Sequence, residues 1–199
     1  SDMRDGNYLE KLRQDGIKVF IGHDAQNLHN VQEGRIPDLV VVSTAIMDFN
    51  KELVEAKKLG IPIWHRADML AFLGKNLKTL AVTGTHGKTT VSSMLAYVLT
   101  KMGEDPTFLI GGNISGFDTN SASGKGEYYV VEADESDKSF NKLSPHSAII
   151  TNIEVDHLDH YKDLDDIYSE FKKFLNLVSD KGVLMCCAED EKLMKLAKD

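Results

Sequence analysis

Short apolar runs alternate with segments of helical spacing along almost the whole chain, the order expected of an α/β fold with a parallel sheet. In the first third the pattern predicts helix over 8–14, strand over 17–21, strand over 38–43, helix over 48–59, strand over 61–64 and helix over 66–73. These are βα units of Rossmann type, with Trp64 and Phe72 read as core. Gly74, Lys75 and Asn76 interrupt the pattern, because Gly and Asn punctuate regular structure. They divide the chain into two domains, 1–77 and 78–199. The second domain opens with strand 80–83, then helix 91–102 and strand 107–110. A Gly/Ser/Asn-rich stretch over 111–126 predicts a long irregular loop. Strands follow at 128–132 and 148–152, then an amphipathic helix at 164–178, a strand at 183–187 and a helix beginning at 189.

Composition narrows the class of protein without naming it. The chain has 199 residues, 42% of them hydrophobic, enough for a buried core. A net charge of −8, from 23 basic and 31 acidic residues, argues against broad electrostatic binding to nucleic acid or an anionic membrane. No apolar run reaches the roughly 20 residues that span a bilayer, and the first residues do not resemble a signal peptide, so a cytoplasmic location is expected. The only cysteines, Cys186 and Cys187, are adjacent, a spacing that suits neither a disulfide framework nor zinc chelation. They read as buried free thiols in a strand. The first domain starts with no strand before it and the last helix breaks off early, as in a segment of a longer protein.

The chemistry is concentrated at strand ends, where open parallel sheets bind ligands. After strand 80–83 comes Gly84-Thr85-His86-Gly87-Lys88-Thr89-Thr90, a phosphate-binding loop. Its glycines let backbone N–H groups and a helix N-terminus face an anion, Lys88 reaches the outer phosphates, and Thr89 stands where a hydroxyl holds Mg²⁺. The usual pattern has a further glycine five residues before Gly87, where this chain has Val82. At the end of strand 128–132, Glu132, Asp134, Glu135 and Asp137 follow in close order; at the end of strand 148–152 come Asn152, Glu154, Asp156, His157, Asp159 and His160. Carboxylates and histidines beside a triphosphate suit a hard cation that neutralises charge in phosphoryl transfer. The acidic run alone also fits a solvated surface loop, and the histidines alone fit surface or capping positions. His86 fits loop packing or a substrate contact equally. The histidines lack the helical zinc spacing, which favours magnesium.

Taken together, these three segments resemble the Mur ligases, ATP-dependent enzymes that form amide bonds in the peptide stem of peptidoglycan. Residues 40–46 and 60–71 resemble that family's UDP-substrate domain. The resemblance implies a truncated Rossmann-like N-terminal domain, 1–77, binding the UDP-substrate. It also implies the opening part of a P-loop-containing, ATP-binding central domain, 78–199, with a mostly parallel sheet. It further implies joining of L-alanine to the lactyl carboxylate of UDP-N-acetylmuramate through an acyl phosphate, with ATP and Mg²⁺ required and this segment alone inactive. Alternatives are a related ligase adding another amino acid or a peptide, or a non-catalytic nucleotide-binding module. Carried over position by position, Lys88, Glu132 and His157 are catalytic, and Thr89, Glu132 and His157 hold metal. Gly84, Thr85, His86, Gly87, Lys88, Thr89 and Thr90 bind the nucleotide. Glu132 is preferred to Glu135 because it ends its strand. Asp134, Glu135, Ser136, Asn152 and His86 are weaker candidates for substrate contacts, and Ser43, Thr44 and Ala45 for the neighbourhood of UDP.

Overall fold

A computed structural model describes residues 1–112, 116–117, 119–154 and 161–197. The chain divides into two compact units, Ser1–Met69 and Leu70–Asp199. In the first unit, helices α1 (Asn7–Gln14) and α2 (Gln26–His29) precede strand β1 (Val40–Val42), helix α3 (Lys51–Leu59) and strand β2 (Ile63–His65). The strands pair in parallel, Val40 opposite Ile63 and Val42 opposite His65, so β1, α3 and β2 form a right-sized βαβ crossover. Asn50 caps α3, its side-chain oxygen accepting from the Glu52 and Leu53 amides at 2.9 and 3.3 Å, which satisfies donors the helix leaves open. Leu53 and Ala56 are the buried face of α3. Ala56 packs with Leu28, Ile61, Val40 and Ile63 in one small core.

The expected strand at 17–21 is not a strand. It makes a single bridge, Asp2 to Ile21, and Ile17 and Ile21 are half exposed. Without a longer partner ladder its apolar residues have no sheet to join. Phe72, read as core, is 55% exposed; it lies in helix α4 (Arg66–Leu73), whose buried residue is Ala67. Trp64 is half-buried.

Among the described residues the second unit has a six-stranded sheet built from β3 (Lys78–Thr83), β4 (Thr107–Leu109), β5 (Ser121–Ala122), β6 (Tyr128–Glu132), β7 (Ser147–Ile150) and β8 (Leu184–Cys186). Their spatial order is β5-β4-β6-β3-β7-β8, and every neighbouring pair is parallel except β4 with β5. Helices α5 (Lys88–Lys101), α6 (Leu164–Leu175) and α7 (Glu191–Leu196) complete it, with a 3-10 turn at Ser139–Lys142. The continuous apolar run of β6 reflects burial on both faces. Val130 joins Ala96 of α5 and Phe108 in one cluster. Tyr129 and Val131, pointing the opposite way along the pleat, join Phe140, Phe171 and Phe174 in the other. There Phe140 stacks on Phe174 with ring centroids 4.9 Å apart. The central strand β3 is held by β6 on one side and β7 on the other, which fixes the position of the loop that follows it.

Two expectations need correction in this unit. The segment 111–126 is not wholly irregular, since it contains β5. A Cβ on Gly126 would collide with the Glu104 carbonyl, so glycine is what lets the returning chain pass beside the turn before β4. Cys186 and Cys187 are half-buried rather than buried, because β8 is at the sheet's edge.

Candidate functional site

At its C-terminal end β3 runs into Gly84, with φ +128°, and Gly87, with φ +82°, precedes α5. A side chain at Gly84 would be strained by its backbone angle. It would also collide with the Thr151 hydroxyl and come within 2.8 Å of the Asn152 carbonyl oxygen. Glycine is therefore required twice over at this position. The loop is clamped to the end of β7. The Thr85 amide donates to the Asn152 carbonyl at 3.0 Å, and the His86 amide donates to Asn152 Oδ1 at 2.9 Å. The His86 carbonyl accepts from Thr151 Oγ1 at 2.6 Å and from Asn152 Nδ2 at 3.1 Å. Thr85 Oγ1 accepts from the Glu154 amide at 2.8 Å. The Thr85 and His86 amides thus face β7. The donors that an α-helix leaves open are those at its start, here Gly87, Lys88, Thr89 and Thr90.

The acidic run after β6 does not converge on one point. Glu132 accepts from Thr89 Oγ1, 3.1 Å from each carboxylate oxygen, and from the Gly111 amide at 2.7 Å. Glu135 turns to Lys88, with Nζ to Oε1 at 2.9 Å. Asp134 and Asp137 close local turns by accepting from the Ser136 and Ser139 amides, each at 3.0 Å. Neighbouring positions on α5 are therefore each met by a different carboxylate: Thr89 by Glu132, Lys88 by Glu135. Lys88 Nζ also donates to the Gly84 and Thr85 carbonyls at 2.7 and 3.2 Å, which uses its three hydrogens. Glu135 is 3% exposed. Burial pushes its carboxyl above the ordinary value, and the Lys88 ammonium opposes that rise. Tyr161 donates its hydroxyl to the Glu135 carbonyl, tying the loop after β6 to the segment before α6.

Sequence reasoning separated Glu132 from Glu135 only by position, and it missed the roles of Thr151 and of the Gly111 amide. A hydroxyl at the end of a buried strand, one residue before Asn152, was the available signal for Thr151. Ser136 lies in the turn closed by Asp134. Thr90 and His86 are exposed; the His86 ring is 3.8 Å from the Glu154 carboxylate. His157 lies outside the described residues. Among the described residues no three His, Cys, Asp or Glu side chains form a metal-ligating group. In the first unit, Ser43 and Ala45 follow β1 and line an open cleft of about 800 Å³, and the Thr44 hydroxyl is 3.2 Å from His65 Nε2.

The donor set fits a magnesium nucleotide. Thr89 Oγ1 and the Glu132 carboxylate already lie together, offering the hard oxygen ligands such an ion takes. The Gly84 cradle, which a Cβ would fill, leads to open helical amides with a lysine beside them.

Residues 82–199 match the Mur ligase middle domain, and residues 1–77 match the Mur ligase family catalytic domain. The UDP-N-acetylmuramate–L-alanine ligase of Carboxydothermus hydrogenoformans is 48% identical over 198 residues, covering 100% of this chain and 42% of the relative. The chain thus spans about two fifths of the length of the curated relatives it matches. Among solved structures, the UDP-N-acetylmuramate-alanine ligase of Thermotoga maritima superposes with a TM-score of 0.83 at 34% identity, covering 98% of this chain and 44% of that one. The UDP-N-acetylmuramate:L-alanyl-gamma-D-glutamyl-meso-diaminopimelate ligase of Neisseria meningitides gives a TM-score of 0.86 at 28% identity, over 100% of this chain and 65% of that one.

Proposed function

The chain belongs to the Mur ligase family, and from that membership and the geometry of its phosphate loop we infer that it carries the nucleotide site of an ATP-dependent ligase. The reaction we assign to the intact protein joins L-alanine to the lactyl carboxylate of UDP-N-acetylmuramate, in the building of peptidoglycan precursors in the cytoplasm. The observation that carries this reading is the pair of contacts at the start of α5, Lys88 to Glu135 and Thr89 to Glu132. One group is a cation for phosphate; the other is a ready pair of oxygen ligands for Mg²⁺. Residues 78–199 would bind ATP, and 1–77 the UDP-substrate near Ser43, Thr44 and Ala45.

A free carboxylate is a poor electrophile, so the amide needs an activated acid. Transfer of the γ-phosphate of ATP to the lactyl carboxylate would make an acyl phosphate and release ADP; the amine of L-alanine would then displace inorganic phosphate and lose a proton to give the amide. Bound Mg²⁺ supplies positive charge against the phosphate oxygens. The chain's own share is positioning and charge neutralisation. Gly87, Lys88, Thr89 and Thr90 would present their amides to the phosphates, the Lys88 ammonium would steady the transferring group on exchanging one of its three present acceptors for a phosphate oxygen, and Thr89 with Glu132 would hold the ion, joined in this assignment by His157.

The decisive measurement is phosphate release by the intact ligase with ATP and UDP-N-acetylmuramate, with and without L-alanine. Alanine-dependent release supports the reading. Replacing Lys88 with Ala should lower turnover by about 10²-fold or more, and near-normal turnover of that variant would remove the phosphate-loop assignment. The Neisseria ligase has a similar fold, which leaves a peptide in place of L-alanine as the second reading. The 48% identity to an L-alanine ligase, against 28% there, favours the first. Running both amine substrates in one assay decides between them.

A further inference from the structure

The phosphate loop departs from the common pattern at Val82, and the structure shows what stands in place of the absent glycine. Val82 is no part of the loop. It is a fully buried strand residue, paired with Glu132 on one side and Ile149 on the other. The chain leaves the sheet only after Thr83, so the turn from Gly84 to Gly87 is short and contains just Thr85 and His86. A turn this short has few internal hydrogen bonds available to it. Among the described contacts, both backbone polar groups of His86 are satisfied from outside the loop.

We propose that Asn152 is a positioning residue of the nucleotide site: its carboxamide holds the amide and the carbonyl of His86 together and thereby sets the shape of the phosphate loop. This rests on the functional reading above. One carboxamide group accepts from the His86 amide at 2.9 Å and donates to the His86 carbonyl at 3.1 Å, pairing with that residue as an opposing strand would. The Asn152 backbone carbonyl meanwhile takes the Thr85 amide at 3.0 Å. Thr151 adds its hydroxyl to the same His86 carbonyl, and that hydroxyl also occupies the space a Cβ at Gly84 would need. With Thr85 and His86 turned toward β7, the anion is left to the amides at the start of α5, beside Lys88. Asn152 need not touch the nucleotide to govern its binding. An aspartate here would keep the acceptor, lose the donor and place a negative charge next to the phosphates; asparagine alone of the two serves both bonds without charge.

The test uses Asn152→Ala and, as the milder variant, Thr151→Val, which removes only the hydroxyl. In the intact ligase Asn152→Ala should raise the KM for Mg·ATP about tenfold, the loss expected when hydrogen bonds of ordinary strength no longer hold the loop. The KM for L-alanine should not change. Thr151→Val should move the ATP KM the same way by a smaller factor. Hydrogen exchange on the 199-residue chain without nucleotide should show the His86 amide exchanging about five- to tenfold faster in Asn152→Ala. An unchanged ATP KM in both variants, a parallel rise in the KM for L-alanine, or unaltered exchange at His86 would each overturn the proposal. So would a collapse of the Asn152→Ala fold with the ATP KM of Thr151→Val unaffected. Absence of any ATP-dependent turnover in the unmodified ligase would instead defeat the functional reading, leaving the His86 exchange to decide the role of Asn152 in shaping the loop.

Discussion

Lys88→Met isolates the electrostatics of the loop, because methionine keeps most of the side-chain stem and removes the ammonium. The pair it breaks is well buried: the Lys88 side chain is 14% exposed and that of Glu135 is 4% exposed. Removing one partner of a buried pair costs about 3–5 kcal/mol, since it strands the other charge. At roughly 2–4 °C per kcal/mol for a chain of this size, the thermal midpoint should fall by about 6–20 °C near neutral or alkaline pH. The cost should depend on pH in one direction. Burial already pushes the Glu135 carboxyl above its ordinary value, with Lys88 opposing, so losing the ammonium drives it higher still. A carboxyl with a raised folded value binds more protons folded than unfolded. Its contribution is fully present below the unfolded value and is lost as pH rises through the folded one. Lys88→Met should therefore lie closest to the parent protein under acidic conditions and diverge as pH climbs. Adding Glu135→Gln removes the buried charge that Lys88 opposed and should recover most of the loss at high pH. Thermal unfolding followed by circular dichroism across that range, on the parent, the single variant and the double variant, checks each step. A loss independent of pH, or one that Glu135→Gln does not relieve, would refute the account of Glu135 as Lys88's buried counterion.

Gly84→Ala should weaken nucleotide binding and lower the thermal midpoint, because the left-handed backbone costs about 1–3 kcal/mol and the new methyl meets Thr151 and Asn152. Titration with a fluorescent ATP analogue alongside a melting curve checks both, and an unaltered affinity would count against the loop's shape being tight. Glu132→Gln should leave the fold in place and raise the Mg²⁺ concentration needed for turnover about tenfold or more, by removing a hard anionic ligand; an unchanged magnesium titration would move that role to another carboxylate.

The layered α/β fold was legible because burial on two faces leaves a simple mark. The run Tyr128 to Val131 is apolar, as a central parallel strand must be, and helix α6 buries Ile167, Tyr168, Phe171 and Phe174 at helical spacing. What was not legible depended on partners far away in sequence. Residues 17–21 carry strand-like composition, yet a strand exists only where another offers its ladder. Conversely, Ser121 and Ala122 are exposed and carry no apolar signal, and only their pairing with β4 makes them a strand. Phe72 shows the limit of reading size as burial: on α4 the small Ala67 is inside and the large ring outside.

The candidate site divides along the same line. Glycine, lysine and threonine at fixed spacing state a local geometry, so the phosphate loop could be found in one dimension. The acidic run could not be resolved that way, because the alternation that orders side chains within β6 stops where the strand does. Past Glu132 the chain turns, and two carboxylates three residues apart reach different partners on α5, while the two others close turns on their own backbone. The same holds for Val82, which stands where the usual motif has glycine. A motif counts residues, but the sheet decides where the loop begins: with Val82 held between β6 and β7, the turn starts two residues later, and the rigidity a longer glycine-led loop would supply internally is provided instead by Thr151 and Asn152 from the neighbouring strand end. Motif and strand end therefore form one structural unit, and a substitution at Asn152, 64 residues beyond Lys88 in sequence, belongs with substitutions in the loop itself.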